Sequence, residues 1–202
     1  QRIKSIKPVD KLSLWVQRII LILAMVGILC IFYGYFIEPN RITVTYLSLQ
    51  SDKIKQGESI RIVHISDLHI EKEGKRELIV PQLIEKEKPD FIVLTGDYLN
   101  PNKAHLILKR FLEKLAAPYG VYAVMGNFDG LLTYEKGLRG TSVQVLTGED
   151  IPLNIRGTEI DITGGGIPMS YAVSKGNQAF LLKGGEPSKY RIFLNHTADL
   201  IP

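Results

Sequence analysis

The sequence predicts an α/β fold on a parallel sheet, preceded by one membrane-spanning helix. Three observations carry this. Runs rich in β-branched and apolar residues begin at Ile60, Phe91, Val121 and Tyr190, and such runs read as buried strands. Helical patterns separate the first three, and this spacing implies right-handed crossovers and parallel pairing. Ile19 to Ile37 is nineteen residues without a charge, close to the roughly 20 needed to cross a bilayer.

Taken in order, residues 1–18 form a basic segment, with Arg2, Lys4, Lys7, Lys11 and Arg18 against Asp10. The positive-inside rule places this segment in the cytoplasm and everything after Glu38 outside, as a single-pass membrane protein. A buried core helix is the plain alternative for residues 19–37. A cleaved signal peptide is another, but its apolar core is shorter, about 7 to 15 residues, and small residues follow it. Here Tyr33, Tyr35 and Phe36 follow, as in an interfacial aromatic belt. Cys30 is the single cysteine, so the chain holds neither a disulfide nor a thiolate metal site of its own. Bulky Leu29 before it argues against lipoprotein cleavage.

Residues 38–58 are expected to hold a strand at Ile42–Leu49 and a polar connector. The main domain is expected over residues 59–202. A helix is predicted over Arg76–Lys88, begun or kinked at Pro81 and ended before Pro89. Ala104, Leu108, Phe111, Leu112 and Leu115 make one apolar helical stripe, which Pro118 and Gly120 terminate. Past Leu131 the texture changes. Val143–Leu146, Ile151–Ile155 and Glu159–Thr163 predict short antiparallel hairpins on a second sheet, with a tight turn at Arg156-Gly157. Gly164-Gly165-Gly166 lacks the Lys-Ser/Thr and the helix start of a phosphate cradle. Ala172–Gly185 fits either a poor helix or a loop. The chain opens at Gln1 and stops at Pro202, and is expected to be a fragment at both ends.

Net charge is +4, yet from Ser59 onward seventeen basic residues balance seventeen acidic ones. The excess lies in the first 58 residues, so the domain has no electrostatic footprint for DNA or RNA. The chemistry gathers at the strand ends. The first strand breaks into Ser66-Asp67-Leu68-His69, the second into Gly96-Asp97, the third into Gly126-Asn127-Phe128-Asp129 and the fourth into Asn195-His196. In open α/β sheets ligands bind at such ends. A solvated loop with a chance histidine would explain any one of these, but not all four.

Asp-Leu-His at 67–69, Gly-Asp at 96–97, Gly-Asn-x-Asp at 126–129 and His196 resemble the calcineurin-like metallophosphoesterases, most of all the membrane-anchored bacterial members. The resemblance covers roughly residues 58–202. It implies a four-layer α/β/β/α sandwich and hydrolysis of phosphoester or pyrophosphate bonds by two divalent metal ions. Asp67 and His69 would bind the first ion, Asp97 would bridge, and Asn127 and His196 would bind the second. Asp97, Asn127 and Asp129 are the implied catalytic set, with Asp129 orienting a neighbour rather than binding metal. Carboxylate, imidazole and amide ligands suit Mn, Fe or Zn.

Two departures stand out. The family usually has His where Phe128 stands, and that His contacts phosphate and helps the leaving group. The family's last motif, Gly-His-x-His, is expected beyond Pro202, which makes the sandwich C-terminally truncated. Of the other polar side chains, His64 is expected to be packed and hydrogen-bonded, His105 solvated, and Tyr98 packed rather than at the substrate. Three functions compete: a membrane-anchored phosphoesterase with a phosphoester or lipid-linked pyrophosphate substrate, a metal-binding scaffold that has lost its acid, and a nuclease, which the balanced charge disfavours.

Overall fold

The computed structural model describes residues 11–100, 104–165 and 188–197. Residues 1–45 and 46–202 form two compact units. In the first, helix α1 (Lys11–Phe32) continues through a π-turn at Tyr33–Ile37 and a 3-10 turn at Glu38–Asn40. The most apolar 18-residue window within Ser13–Asn40 has a mean hydropathy of 2.6, and none of that window is buried. By length and composition this helix could cross a membrane.

The strand expected at Ile42–Leu49 does not form; residues 41–50 have no regular structure. Alternation alone does not satisfy backbone N–H and C=O groups, and no described strand lies beside this segment. Tyr46, Leu47 and Leu49 are exposed, and Tyr46 Oη donates to Glu87 Oε1 at 2.7 Å.

In the second unit, β1 (Ile62–Ile65), β2 (Phe91–Thr95), β3 (Val121–Val124) and β4 (Val143–Val145) form a parallel sheet in the order β1-β2-β3-β4. Every residue of β2 and β3 is buried. Parallel strands covered on both faces require this, which is why their sequences read as continuous apolar runs. β4 corrects the expected hairpin. Parallel pairing needs a crossover of a dozen residues or more, and residues 125–142 supply it through helix α4 (Leu131–Thr133) and a π-turn at Tyr134–Leu138.

The hairpin is made by β5 (Asp150–Ile155) and β6 (Thr158–Gly164), antiparallel across Arg156-Gly157. Both turn residues have positive φ, 50° and 84°, as the hairpin turn matched to strand twist requires. β7 (Tyr190–Leu194) lies parallel to β6 and completes the second sheet. The glycines at the end of β6 serve close packing. A Cβ on Gly164 would lie 2.2 Å from Leu146 Cβ, and one on Gly165 2.3 Å from the Phe193 ring. Ala172–Gly185 and Gly166 lie outside the described residues.

Alternate residues of the central strands feed two cores, as the period of 2 dictates. Ile92, Leu94, Val121 and Ala123 join Ile84 of α2 (Lys75–Glu87) and Leu108, Phe111 and Leu112 of α3 (His105–Leu112). Phe91, Val93, Tyr122 and Val124 join Ile155, Ile160, Ile162 and Leu194 of the second sheet. Helices, first sheet and second sheet are thus three layers of the expected sandwich among the described residues. α2 starts well before Pro81. Gly74 caps it, and Glu77 Oε2 accepts the Gly74 N–H at 2.8 Å. His105 corrects another expectation. It is buried rather than solvated, and its Nε2 has no hydrogen-bond partner among the described residues, because α3 packs under the π-turn, where Gly137 sits against Leu108.

Arg156 ties the hairpin turn to the first sheet. Its guanidinium donates to both carboxylate oxygens of Asp90, to Glu58 and to the Ser59 carbonyl. The Arg156 hydrogen bond holds the Asp90 carboxyl below its usual range. A depressed carboxylate adds stability above its unfolded pKa, and that stability is lost as pH falls through the folded value. Arg156→Gln is therefore expected to flatten the pH dependence of stability below about pH 4, while the wild type steepens there. Urea unfolding at pH 3 to 6 checks this; parallel curves for the two proteins would contradict it.

Candidate metal centre

The carboxyl ends of β1, β2 and β3 and the end of β7 converge. The β1 and β2 loops are zipped by backbone hydrogen bonds: Asp67 N–H to Gly96 O (3.1 Å), His69 N–H to Asp97 O (2.9 Å) and Ile70 N–H to Tyr98 O (2.9 Å). Asp67, His69 and Asp97 all have positive φ, at 54°, 41° and 56°. Such backbone is uncommon outside glycine, and clustering of this kind marks sites where side chains are aimed at a task.

Glycine makes the convergence possible. Gly96 has φ 87°, and a Cβ there would lie 2.4 Å from Gly126 N. A Cβ on Gly126 would lie 2.2 Å from Asp97 Oδ1. Only two bare backbones let the β2 and β3 loops touch.

Asp97 is almost fully buried, and its Oδ1 accepts the Phe128 N–H at 3.0 Å. Its Oδ2 lies 3.4 Å from His196 Nε2 and 3.8 Å from His69 Nε2. His69 Nε2 is also 3.8 Å from Asp67 Oδ1. One ligand atom each from Asp67, Asp97 and His196 lie within 4.8 Å of one another. His196 Nδ1 donates to the Thr95 carbonyl at 2.6 Å, and its Nε2 lies in hydrogen-bond contact with Asn127 Oδ1 at 2.8 Å. Among the described residues no Lys or Arg pairs with Asp67 or Asp97. Two ligands each about 2.1 Å from one ion lie roughly 3 to 4 Å apart, and the 3.4 and 3.8 Å spacings fit that. The donor set and its spacing therefore fit divalent metal.

Asp129 stands behind these atoms. Its Oδ2 accepts the N–H groups of Asp97 (2.7 Å) and Gly126 (2.8 Å), and its Oδ1 that of Tyr98 (3.0 Å). Burial raises the pKa of its carboxyl, and the three backbone donors pull the other way. The side chain locks the β2 loop to the β3 loop.

Tyr98 is fully buried, and its hydroxyl donates to the Val124 carbonyl at 2.6 Å, away from substrate. His64 Nε2 meets Thr95 Oγ1 at 2.7 Å. It is hydrogen-bonded as expected but sits on the exposed side of the edge strand β1. Phe128 is 65% exposed and packs edge-on to the His69 ring, centroids 5.8 Å apart. Sequence reasoning missed Thr95, whose carbonyl fixes His196. A threonine at a strand end carries no signal for that role.

Residues 60–199 match the family model described as calcineurin-like phosphoesterase. The chain belongs to this family. Among the relatives of this calcineurin-like phosphoesterase, a metallophosphoesterase of Aquifex aeolicus is 31% identical over 173 residues, covering 80% of this chain and 62% of the relative. The metallophosphoesterase YkuE of Bacillus subtilis is 36% identical over 107 residues, 48% of this chain and 37% of that one. The UDP-2,3-diacylglucosamine pyrophosphatase LpxG of Chlamydia trachomatis is 34% identical over 109 residues, 52% and 33%. The chain spans less than two thirds of the length of each of these relatives.

Proposed function

We propose that this phosphoesterase hydrolyses phosphoester or pyrophosphate bonds at a membrane surface with two divalent metal ions. The observation that supports this best is the convergence of polar atoms from Asp67, His69, Asp97, Asn127 and His196 with no Lys or Arg of the described residues among them. Mn, Fe or Zn suits the mixed oxygen and nitrogen set. Metal bound there supplies Lewis acidity and lowers the pKa of water at the site.

The chain's own residues do the rest. Asp67 and His69 hold one ion and Asn127 and His196 the other, with Asp97 shared. The Thr95 carbonyl fixes the His196 tautomer that keeps Nε2 free to ligate. Asp129 holds the β2 and β3 loops in register, so the ligands keep their spacing. Phe128 has no proton to give a leaving group. The substrates favoured are those that leave without one, such as pyrophosphates and aryl esters. LpxG is named for a diacylated nucleotide-sugar pyrophosphate, and an amphipathic pyrophosphate of that class fits an enzyme anchored by residues 13–40. The basic excess before Ile19 supports a domain outside the cytoplasm.

Phe128 also favours a second reading, a metal-binding module without turnover. Turnover of an aryl phosphate and of an alkyl pyrophosphate, measured with and without manganese, decides between them. Manganese-dependent release is expected from both. Tight manganese binding without release from either substrate would select the second reading. Phe128→His is expected to raise turnover of alkyl phosphates more than that of aryl phosphates, up to the 10²- to 10⁴-fold worth of a general acid. Equal gains on both classes, or none, would show that residue 128 is not at the acid position.

A further inference from the structure

The metal centre leaves one neighbouring surface unused. Phe128, Leu131 and Leu132 are 65%, 55% and 50% exposed. Four residues of chain reach at most roughly 14 Å, so the three lie within that span of one another, and Phe128 packs on the His69 ring. Lys136 follows Leu132 by four residues in the same helical run and shares its face. Across from it, α3 presents Leu106, 74% exposed, and Lys109. Leu106, Lys109 and Lys136 line one cleft of about 580 Å³. Arg110 is engaged by Glu73 and Arg139 by Glu135. Lys109 and Lys136 pair with no carboxylate among the described residues.

We infer that this face docks on an anionic lipid bilayer, with Phe128, Leu131, Leu132 and Leu106 in the headgroup layer and Lys109 and Lys136 among the lipid phosphates. The apolar side chains stand out singly on a helix end and a turn, which suits shallow insertion. Leucine and phenylalanine beside unpaired lysines is the composition of a lipid-surface contact. The inference rests on the reading that residues 13–40 cross a membrane, which keeps a bilayer within reach. Docking sets the Asn127-Phe128 turn at the lipid–water boundary, where the phosphate of a lipid lies.

The test uses the full chain with Cys30→Ser and a single Leu132→Cys, carrying an environment-sensitive fluorophore and mixed with vesicles of phosphatidylcholine alone or with phosphatidylglycerol. Glu113→Cys, exposed at the far end of α3, is the control. The label at 132 is expected to shift to shorter wavelength on anionic vesicles, and the control not to. Lys109→Glu with Lys136→Glu is expected to abolish the shift. Loss of the shift in that double variant, while the same variant keeps its manganese-dependent turnover of a soluble aryl phosphate, separates docking from catalysis. Resistance to carbonate extraction reports the anchor separately, so an unanchored chain that still shifts fails the anchor reading and supports docking. A label at 132 as wet as the control would overturn the inference. So would a shift that follows protein density rather than lipid charge, which would assign the face to a second copy of the chain.

Discussion

Asp97→Asn is expected to lower divalent-metal affinity by more than roughly 100-fold, and turnover with it. Substitutions one shell further out already cost about 10- to 100-fold. The substitution keeps the shape. The amide oxygen can still accept the Phe128 N–H that Asp97 Oδ1 accepts at 3.0 Å. That turns the NH₂ toward His196 Nε2 and His69 Nε2, where Oδ2 stood at 3.4 and 3.8 Å. An acceptor becomes a donor at the position proposed to be shared by both ligand pairs. Asp67→Asn is the comparison, because the Asp67 side chain is 56% exposed and its Oδ1 lies 3.8 Å from His69 Nε2. Elemental analysis after manganese loading, with thermal unfolding of the same samples, reads both effects. The expected result is loss of both ions in Asp97→Asn and of about one in Asp67→Asn, at near-native Tm. Equal, mild losses would remove Asp97 from the shared position.

Gly96→Ala is expected to destabilise the domain by roughly 3 to 5 kcal/mol, near the upper limit for a single substitution. Two costs add. The residue has φ 87°, where an alanine costs about 1 to 3 kcal/mol. The new methyl also meets the Gly126 backbone at 2.4 and 2.5 Å, and neither loop can retreat while Asp129 spans them. Gly157→Ala separates the costs. Its φ is 84°, but nothing lies within 4 Å of the added carbon. Gly96→Ala should therefore lower Tm by roughly 10 °C, and Gly157→Ala by a fraction of that. Equal shifts would mean that backbone conformation, not loop contact, makes glycine necessary at 96.

What the structure adds to the site is support rather than ligands. Asp67, His69, Asp97, Asn127 and His196 were all named from strand ends, where a run of apolar residues gives way to a polar pair. Their supports were not legible. The Thr95 carbonyl that fixes His196 lies 101 residues away. The backbone donors of Asp97 and Tyr98 lie 32 and 31 residues from Asp129. Backbone groups have no side-chain identity, so composition cannot flag them.

By itself the sequence determined the central strands, the alternation that feeds two cores, the Arg156-Gly157 turn and the residue types at the strand ends. Each follows from local chemistry: strand period, the burial of a parallel sheet, and the φ a two-residue turn demands. Tertiary structure decided the rest. It placed β4 parallel to β3 instead of in a hairpin, because a crossover of sufficient length precedes it. It left Ile42–Leu49 without a strand, because alternation needs a neighbour to pair with. It buried His105 under the π-turn. It brought Gly96 against Gly126, so that two loops from different strands share one set of ligands. These outcomes depend on which distant segments meet, and no local pattern encodes that meeting.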